Sequence, residues 1–556
     1  MAILTEHGSQ RDLLVSAFTL SCFVAVAYGI VRLLLVGRRP AGLPPGPRTL
    51  PLIGNLHLMP TFKPYKVFAE WGLKYGPLYS LMVGSNPLIL IQSHKIAKDL
   101  LDRRGANYSS RPDLYILSEL ASRGLRQVAM KYNQTWRQIH RINHKILNAK
   151  AVRAYTPYQH LENRQMLVDL LDTPAAHKRH IQRYSNAVTC QMVYGFRTTS
   201  WEDPKLQSVV QIFSDVCTLG VTIPARLMDC YPIFQKIPKR WLSVCREAMD
   251  LDKRCISTFL GRWLEGKEKV LTDKAVPCFC AGLVQAQKDE GFSDELASYI
   301  AGDIVEAGSS TTSDELFGFL MAMCTHPDVQ RRAQQELDAV IGTDRLPTLE
   351  DWDRLPYIRG CVKETLRWMP TTALLVPHSP IKDDIYQGML IPAGSAVVIN
   401  VWALNMDPTA WPDPHRFDPL RFQHDLRSEH EIATTAELTH PRHNYVFGAG
   451  RRLCQGMHVA ERSLFLAMAT MLWGFNITTP DPRKIDTEDL RGGLAVVPAP
   501  FDCHVTPRDA KRTDVMRKEW KEQQEQFLDP ITKQWARVPE GLPLSTYSAD
   551  ALPKAW

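Results

Sequence analysis

One cysteine in a glycine-rich loop limits what this chain can fold into more than any other stretch of it. The ten residues Phe447-Gly448-Ala449-Gly450-Arg451-Arg452-Leu453-Cys454-Gln455-Gly456 run directly into an apolar helical segment, Met457 to Phe475. Glycines at 448, 450 and 456 permit close backbone approach and positive φ, which a loop wrapped around a flat ligand requires. Free amides at the start of the following helix, together with Arg451 and Arg452, are expected to hold Cys454 as the thiolate, the form that binds metal.

The chain has 556 residues, and nothing between about residue 48 and residue 505 reads as a linker, so one large unit is expected rather than a string of modules. A net charge of +7 without a dense Lys/Arg run excludes nucleic acid as the natural partner and favours a membrane surface or an acidic protein. The twelve cysteines include one close pair, Cys278-x-Cys280, and no Cys-x-x-Cys. That spacing suits neither a disulfide framework nor a zinc site, and a reducing compartment is expected. Leu13 to Val31 carries no charge over nineteen residues, about 28 Å as a helix, enough for one tilted membrane pass. Glu6, Arg11 and Asp12 precede it, and Arg32, Arg38 and Arg39 follow. The positive-inside rule therefore places residues 1–12 in the lumen and the bulk of the chain in the cytosol. Residues 32–47, with Pro40, Pro44, Pro45 and Pro47, read as a stiff hinge.

After the hinge, Gly76 to Val83 and Pro87 to Ile91 read as two strands joined through Gly84-Ser85-Asn86. Helical periodicity then dominates from Ile96 to about Met369, and strand-like stretches such as Ala396 to Val401 return after Pro370. The fold class is mostly α, in an α+β arrangement with small sheets. Residues 509–556 are rich in Lys, Glu and Gln and hold little core potential, so a charged surface extension, partly disordered, is expected there.

Three further segments carry chemistry. Glu364 and Arg367 share one helix face at i and i+3, ahead of the segment Asp413-Pro-His-Arg-Phe-Asp-Pro-Leu-Arg421-Phe422. Ser293 to Thr325 reads as one long helix, N-capped by Ser293, whose middle, Ala307-Gly308-Ser309-Ser310-Thr311-Thr312-Ser313, sets glycine and five hydroxyls where a core helix favours Leu or Ala. A break between two helices is the structural alternative there. Trp136 opens a helix with Arg137, Arg141 and Lys145 on one basic stripe and Ile139, Ile142 and Ile146 on the inner side.

Phe447-x-x-Gly450-x-Arg452-x-Cys454-x-Gly456 resembles the haem-thiolate loop of cytochromes P-450. The other segments resemble that family's Glu-x-x-Arg, Pro-x-Arg-Phe, Ala-Gly-x-acid-Thr-Thr and Trp-x-x-x-Arg motifs, in family order over roughly residues 40–507. The resemblance implies haem b with Cys454 as axial ligand. It places Trp136, His140, His378, Phe447 and Arg452 around the cofactor, and Thr311 and Ser310 at the proton-delivery position. Glu364, Arg367 and Arg421 would form a structural charge network behind it. Two positions depart from the pattern: Ser310 stands where the family has an acid, and His140 where it has an arginine. Glu306, one turn before Ser310, is a candidate replacement acid. The segments around Leu114 to Leu125, Ile304 to Ala307, Thr371 to Leu375 and Gly492 to Val496 would line an apolar pocket without a buried charge, suited to a neutral lipophile.

Residues 48–508 would then be the haem domain of an endoplasmic-reticulum, single-pass monooxygenase, most like filamentous-fungal members of secondary metabolism. NADPH–cytochrome P-450 reductase and cytochrome b5 are the implied redox partners, with the basic stripe as the docking face. Three alternatives stay open: a P-450 whose net reaction is desaturation, ring closure or phenol coupling; a non-catalytic haem-binding membrane protein; and a secreted haem-thiolate peroxygenase.

Overall fold

The computed structural model describes residues 3–435, 442 and 444–538. An N-terminal helix, α1 (Ile3–Leu35), extends beyond the expected apolar span at both ends, and from Val15 to Leu35 it is long and apolar enough to cross a membrane. The hinge that follows lies against the body of the protein. Arg39 donates to the carbonyls of Pro44 (3.0 Å), Pro47 (2.9 Å) and Ser80 (2.9 Å), and Leu43 is buried.

The two expected strands form as β1 (Leu78–Val83) and β2 (Asn86–Ile91), antiparallel, with Leu78 opposite Ile91. A third strand, β3 (Ala396–Ile399), pairs with β2 in parallel. Every residue of β1 is buried, so its apolar run needs no alternation.

Helices make up the rest of the body. Those that build the site are α2 (Gln134–Leu147), α3 (Thr156–Asp172), α4 (His177–Tyr194), α5 (Ser243–Leu271), α6 (Asp294–Thr325), α7 (Pro356–Trp368) and α8 (Met457–Gly474). In α2, Ile139, Ile142 and Ile146 are buried while Arg137, Arg141 and Lys145 are exposed, as the sequence pattern predicts.

The central helix α6 is continuous from Asp294 to Thr325, capped by Ser293 Oγ accepting from the amide of Leu296 (3.2 Å). The hydroxyl cluster does not break it, because Ser309, Thr311 and Ser313 hydrogen-bond back along the helix. Thr311 Oγ1 donates to the Ala307 carbonyl (2.8 Å) and Ser313 Oγ to that of Ser310 (2.7 Å). From α4, Asn186 Nδ2 donates to Ser309 Oγ (2.8 Å) and Ser185 Oγ to the Gly308 carbonyl (2.7 Å). Glycine is required at 308, since a Cβ there would sit 2.7 Å from Thr189 Oγ1.

Over its described residues the C-terminal segment is an ordered extension on the surface of the body. Its helix α9 (Ala510–Phe527) is capped by Asp509 and packs on α3, with Met516 buried beneath Gly474. Trp535 then turns back into the body, where its Nε1 donates to Gln191 Oε1 (2.7 Å) and its ring lies 5.4 Å from that of Tyr158. The polar composition does not mark this packing because the anchoring residues are few and widely spaced. Residues 539–556 of the expected extension lie outside the described residues.

Candidate functional site

Cys454 lies at the base of a cavity of about 420 Å3, walled by α6 on one side and by the loops around Arg111, Gln127, Leu375 and Leu494 on the others. The loop carrying it is held by its own backbone and by its neighbours. The amide of Cys454 donates to the Phe447 carbonyl (2.8 Å), and that of Gly450 to Asp102 Oδ1 (2.7 Å). Gly450 takes φ +56°, and a Cβ there would sit 2.1 Å from the Leu101 carbonyl oxygen, so no side chain fits.

The electrostatics of the sulfur differ from the sequence-based expectation. Burial pushes the Cys454 thiol up, and the amides of Gly456 and Met457 pull it down by less. Neither arginine supplies the missing field. Arg451 donates to Tyr132 Oη (3.0 Å). Arg452 donates to the carbonyls of Ser109 (2.8 Å), Gln127 (3.3 Å) and Met130 (2.7 Å). Among the described residues these two amides favour the thiolate, and a metal cation at the sulfur would add to them.

Arg452 belongs to a cluster of positive groups at one end of the cavity. Its guanidinium covers the Trp136 ring at 4.3 Å, and Trp136 stacks on His140 at 4.7 Å. His378 uses Nδ1 to donate to the Tyr108 carbonyl (2.8 Å). Arg111, which the sequence analysis did not single out, donates to the carbonyls of Val128 (2.9 Å), Val376 (2.9 Å) and Pro377 (2.8 Å). Among the described residues no carboxylate pairs with Arg111 or Arg452. Burial lowers the pKa of both, Arg452 to about 10, and burial beside the two arginines lowers His378 to about 3. Buried cations without counter-ions are costly, and this end of the cavity is complementary to a group bearing carboxylates. A flat macrocycle with a soft metal and two carboxylates fits the residues present: thiol at one point, arginines and a histidine at the rim, Phe447 alongside.

Thr311 faces the same cavity, with Ala307 and Gly308 one turn before it. Ser310 does not. It is 6% exposed, absent from the cavity wall, and its Oγ has no partner among the described residues. One residue from Thr311 is a rotation of about 100° around the helix, so the expected pairing of these two hydroxyls at one site is not formed. Glu306 is also removed as a replacement acid: both its oxygens accept from Arg126 Nη1 at 2.6 Å.

Glu364, Arg367 and Arg421 come together outside the cavity. Arg367 Nε and Nη2 each lie 2.7 Å from a Glu364 oxygen, and Arg421 Nε lies 3.3 Å from Oε1. Arg367 also donates to the carbonyls of Asn405 (2.7 Å) and Pro414 (2.9 Å), tying α7 to the segment before Arg421.

A sequence model of the family described as Cytochrome P450 matches residues 44–505 of the chain. The chain belongs to the cytochrome P450 family. Its curated relatives include the cytochrome P450 monooxygenase virE of Hypocrea virens, 42% identical over 522 residues and covering 93% of this chain and 94% of the relative. The cytochrome P450 monooxygenase fogE of Aspergillus ruber is 41% identical over 544 residues, covering 97% and 100%. Among solved structures, a zebra fish cytochrome P450 with abiraterone aligns with TM-score 0.62 at 22% identity, over 80% of this chain and 100% of that one, and shows the shared fold.

This cytochrome P450 is therefore a haem-thiolate monooxygenase, with haem b as its cofactor. When bound, haem supplies the oxidising power that activates O2. The chain's own residues would hold it: Arg452, Arg111 and His378 would receive its carboxylates, Cys454 would ligate its iron, and Thr311 would offer a hydroxyl from α6 in the same cavity.

Two features escaped the sequence reading. Arg111 sits in Ser110-Arg111-Pro112, without periodicity or motif to mark it. The expectation of a pocket free of buried charge is overturned, since Asp303, Glu306, Arg126 and Glu315 all line the cavity.

Proposed function

We propose that this cytochrome P450 is anchored in the endoplasmic reticulum by α1, with its catalytic body in the cytosol. It takes electrons from NADPH through a flavin reductase, with cytochrome b5 as a second donor, and inserts one oxygen atom into a lipophilic small molecule of fungal secondary metabolism. The observation that carries this reading is the convergence of Cys454, Thr311 and the Arg111–Arg452–His378 cluster on one cavity. The exposed stripe of Arg137, Arg141 and Lys145 supports docking of an acidic reductase. It lies on α2, whose His140 carbonyl accepts from Gln455 of the cysteine loop (2.9 Å), so a partner seated there is close to the cofactor edge.

Cys454→Ala is expected to abolish the thiolate-type carbonyl difference spectrum; persistence of that band would reject the ligand assignment. Metabolite comparison between the host strain and one lacking the gene then reads the net reaction. An accumulated precursor lighter by one oxygen than the missing product establishes monooxygenation, and one heavier by two hydrogens establishes desaturation or ring closure instead.

A further inference from the structure

The cavity face of α6 carries Asp303, Ala307 and Thr311 at i, i+4 and i+8. Asp303 belongs to a trio with Glu306, on the same helix, and Arg126, from the loop ahead of α2. Glu306 binds Arg126 with both oxygens at 2.6 Å, and the other end of the guanidinium donates to Cys255 Sγ (3.3 Å). Arg126 stands 3.7 Å from Asp303 Oδ1, beyond hydrogen-bond range. Glu306 thus takes the arginine's hydrogen bonds, while Asp303 keeps an ion-pair contact with it and, among the described residues, accepts one hydrogen bond, from the Gln127 amide to Oδ2 (2.8 Å).

The three side chains differ in what the cavity can touch. Arg126 is 2% and Glu306 5% exposed, whereas Asp303 is 13% exposed. A carboxylate offers about four acceptor positions, and the Gln127 amide fills one. The same cavity is also lined by the apolar Val188, Met192, Phe213, Val216 and Leu494. Burial, countered only in part by Arg126, pushes the Asp303 carboxyl up to about 7. Oδ1 is buried beside Arg126 without a hydrogen-bond partner among the described residues, so the part of the carboxylate left to the cavity is Oδ2, which keeps lone pairs beyond the one that accepts from the Gln127 amide.

We propose that Asp303 anchors a hydroxyl group of the substrate, so that the enzyme selects a neutral lipophile whose hydroxyl lies about 12 Å from the carbon presented beside Thr311, the distance of eight residues along a helix. This rests on the monooxygenase reading of the same cavity. A carboxylic acid is disfavoured because Arg126 is already claimed by Glu306 and a second anion would meet Asp303. An ammonium is disfavoured because the Arg126 guanidinium stands beside the same carboxylate. A hydroxyl donates to Asp303 whether that carboxyl is ionised or not.

The test uses the full-length holoprotein and follows the haem absorption shift on titration with decan-1-ol, decane, decylammonium and decanoate. Wild type is expected to bind decan-1-ol at least tenfold more tightly than decane, with the shift of water displacement rather than alcohol ligation. Asp303→Leu should erase that preference, while Asp303→Asn, which keeps an acceptor and a partner for the Gln127 amide, should retain most of it. If Asp303→Leu fails to hold haem, Asp303→Ala replaces it, with the same loss expected. A preference that survives in the Leu or Ala variant overturns the assignment, and so does tighter binding of decylammonium or decanoate than of decan-1-ol by the wild type. A wild-type protein lacking the thiolate-type carbonyl band rejects the monooxygenase reading itself. With that band present and no alcohol preference, only the Asp303 inference falls.

Discussion

Glu364 and Glu162 are both wholly buried carboxylates, each gripped by two arginines, yet they belong to different kinds of architecture. Glu364 takes Arg367 from its own helix, three residues on, and Arg421 from a segment already marked by its proline and aromatic spacing. Glu162, on α3, pairs with Arg183 of α4 and with Arg197 just beyond it, and accepts from Gln191 Nε2 (2.6 Å). Arg197 then reaches the C-terminal segment. Its Nη1 donates to the Lys533 carbonyl (2.7 Å), and its amide donates to Gln534 Oε1 (2.7 Å). The physics is the same in both, a desolvated charge made tolerable by several partners. The difference is that Glu364 has one arginine within a turn of its own helix and the other in a recognisable segment, whereas neither arginine of Glu162 is marked by local spacing, and that decides which network can be read from a sequence.

The comparison can be broken at either network. Glu162→Ala is expected to have the largest effect on stability, because it leaves two buried arginines without their carboxylate. Removing one member of such a network costs about 3–5 kcal/mol, to be read by equilibrium urea unfolding of the holoprotein. Haem content per folded molecule should be unchanged. Glu364→Ala should cost a similar amount, about 3–5 kcal/mol, but with haem content falling too, since α7 packs on α8, the helix that follows the cysteine loop. Equal haem retention in the two variants would remove the functional distinction between the networks.

Trp535→Ala comes next. Truncating a tryptophan typically costs about 3–5 kcal/mol, and this ring is partly exposed, so a loss of roughly 2–3 kcal/mol is expected. An unchanged unfolding midpoint would show that the C-terminal segment rests on the body without stabilising it.

The smallest effects are those of pH. Burial pushes the Glu162 carboxyl up, but Arg197 and Arg183 outweigh it and hold its pKa below the usual 4.5. On acidification the unfolded chain takes up that proton first, so the stabilisation is full above 4.5 and is lost as pH falls through the folded value. Glu315 behaves oppositely. It accepts from the Thr371 amide (3.0 Å), among the described residues it has no cation partner, and burial pushes it up to about 8. Its contribution is full below 4.5 and disappears as pH rises through about 8. Unfolding curves of Glu162→Gln should therefore converge on wild type as pH falls below 4.5, whereas those of Glu315→Gln should match wild type below 4.5 and lie progressively above it as pH rises to about 8. The opposite senses would reverse the assignment of partners.

The sequence alone settled what depends on neighbours in the chain. The glycine pattern before Cys454 marked a loop whose backbone must approach other groups closely, and Gly450 against Leu101 is such an approach. The Ser293 cap and the hydroxyl-rich centre of α6 were legible because helix signals act within a turn or two. So was the apolar stretch inside α1. Tertiary structure alone decided which side chains share a space. Thr311 faces the cavity and Ser310 does not, although both fall within one motif, because only packing against α4 fixes the rotation of α6. Arg111 and Arg452 lie far apart in the chain and meet only where both find backbone carbonyls at one end of the cavity. Arg126 hydrogen-bonds Glu306 and stands farther from Asp303, a division between two carboxylates on one helix that no spacing encodes. Local patterns fix backbone shape over a few residues, whereas the pairing of buried charges is a property of distance in space, and the chain reveals that only once folded.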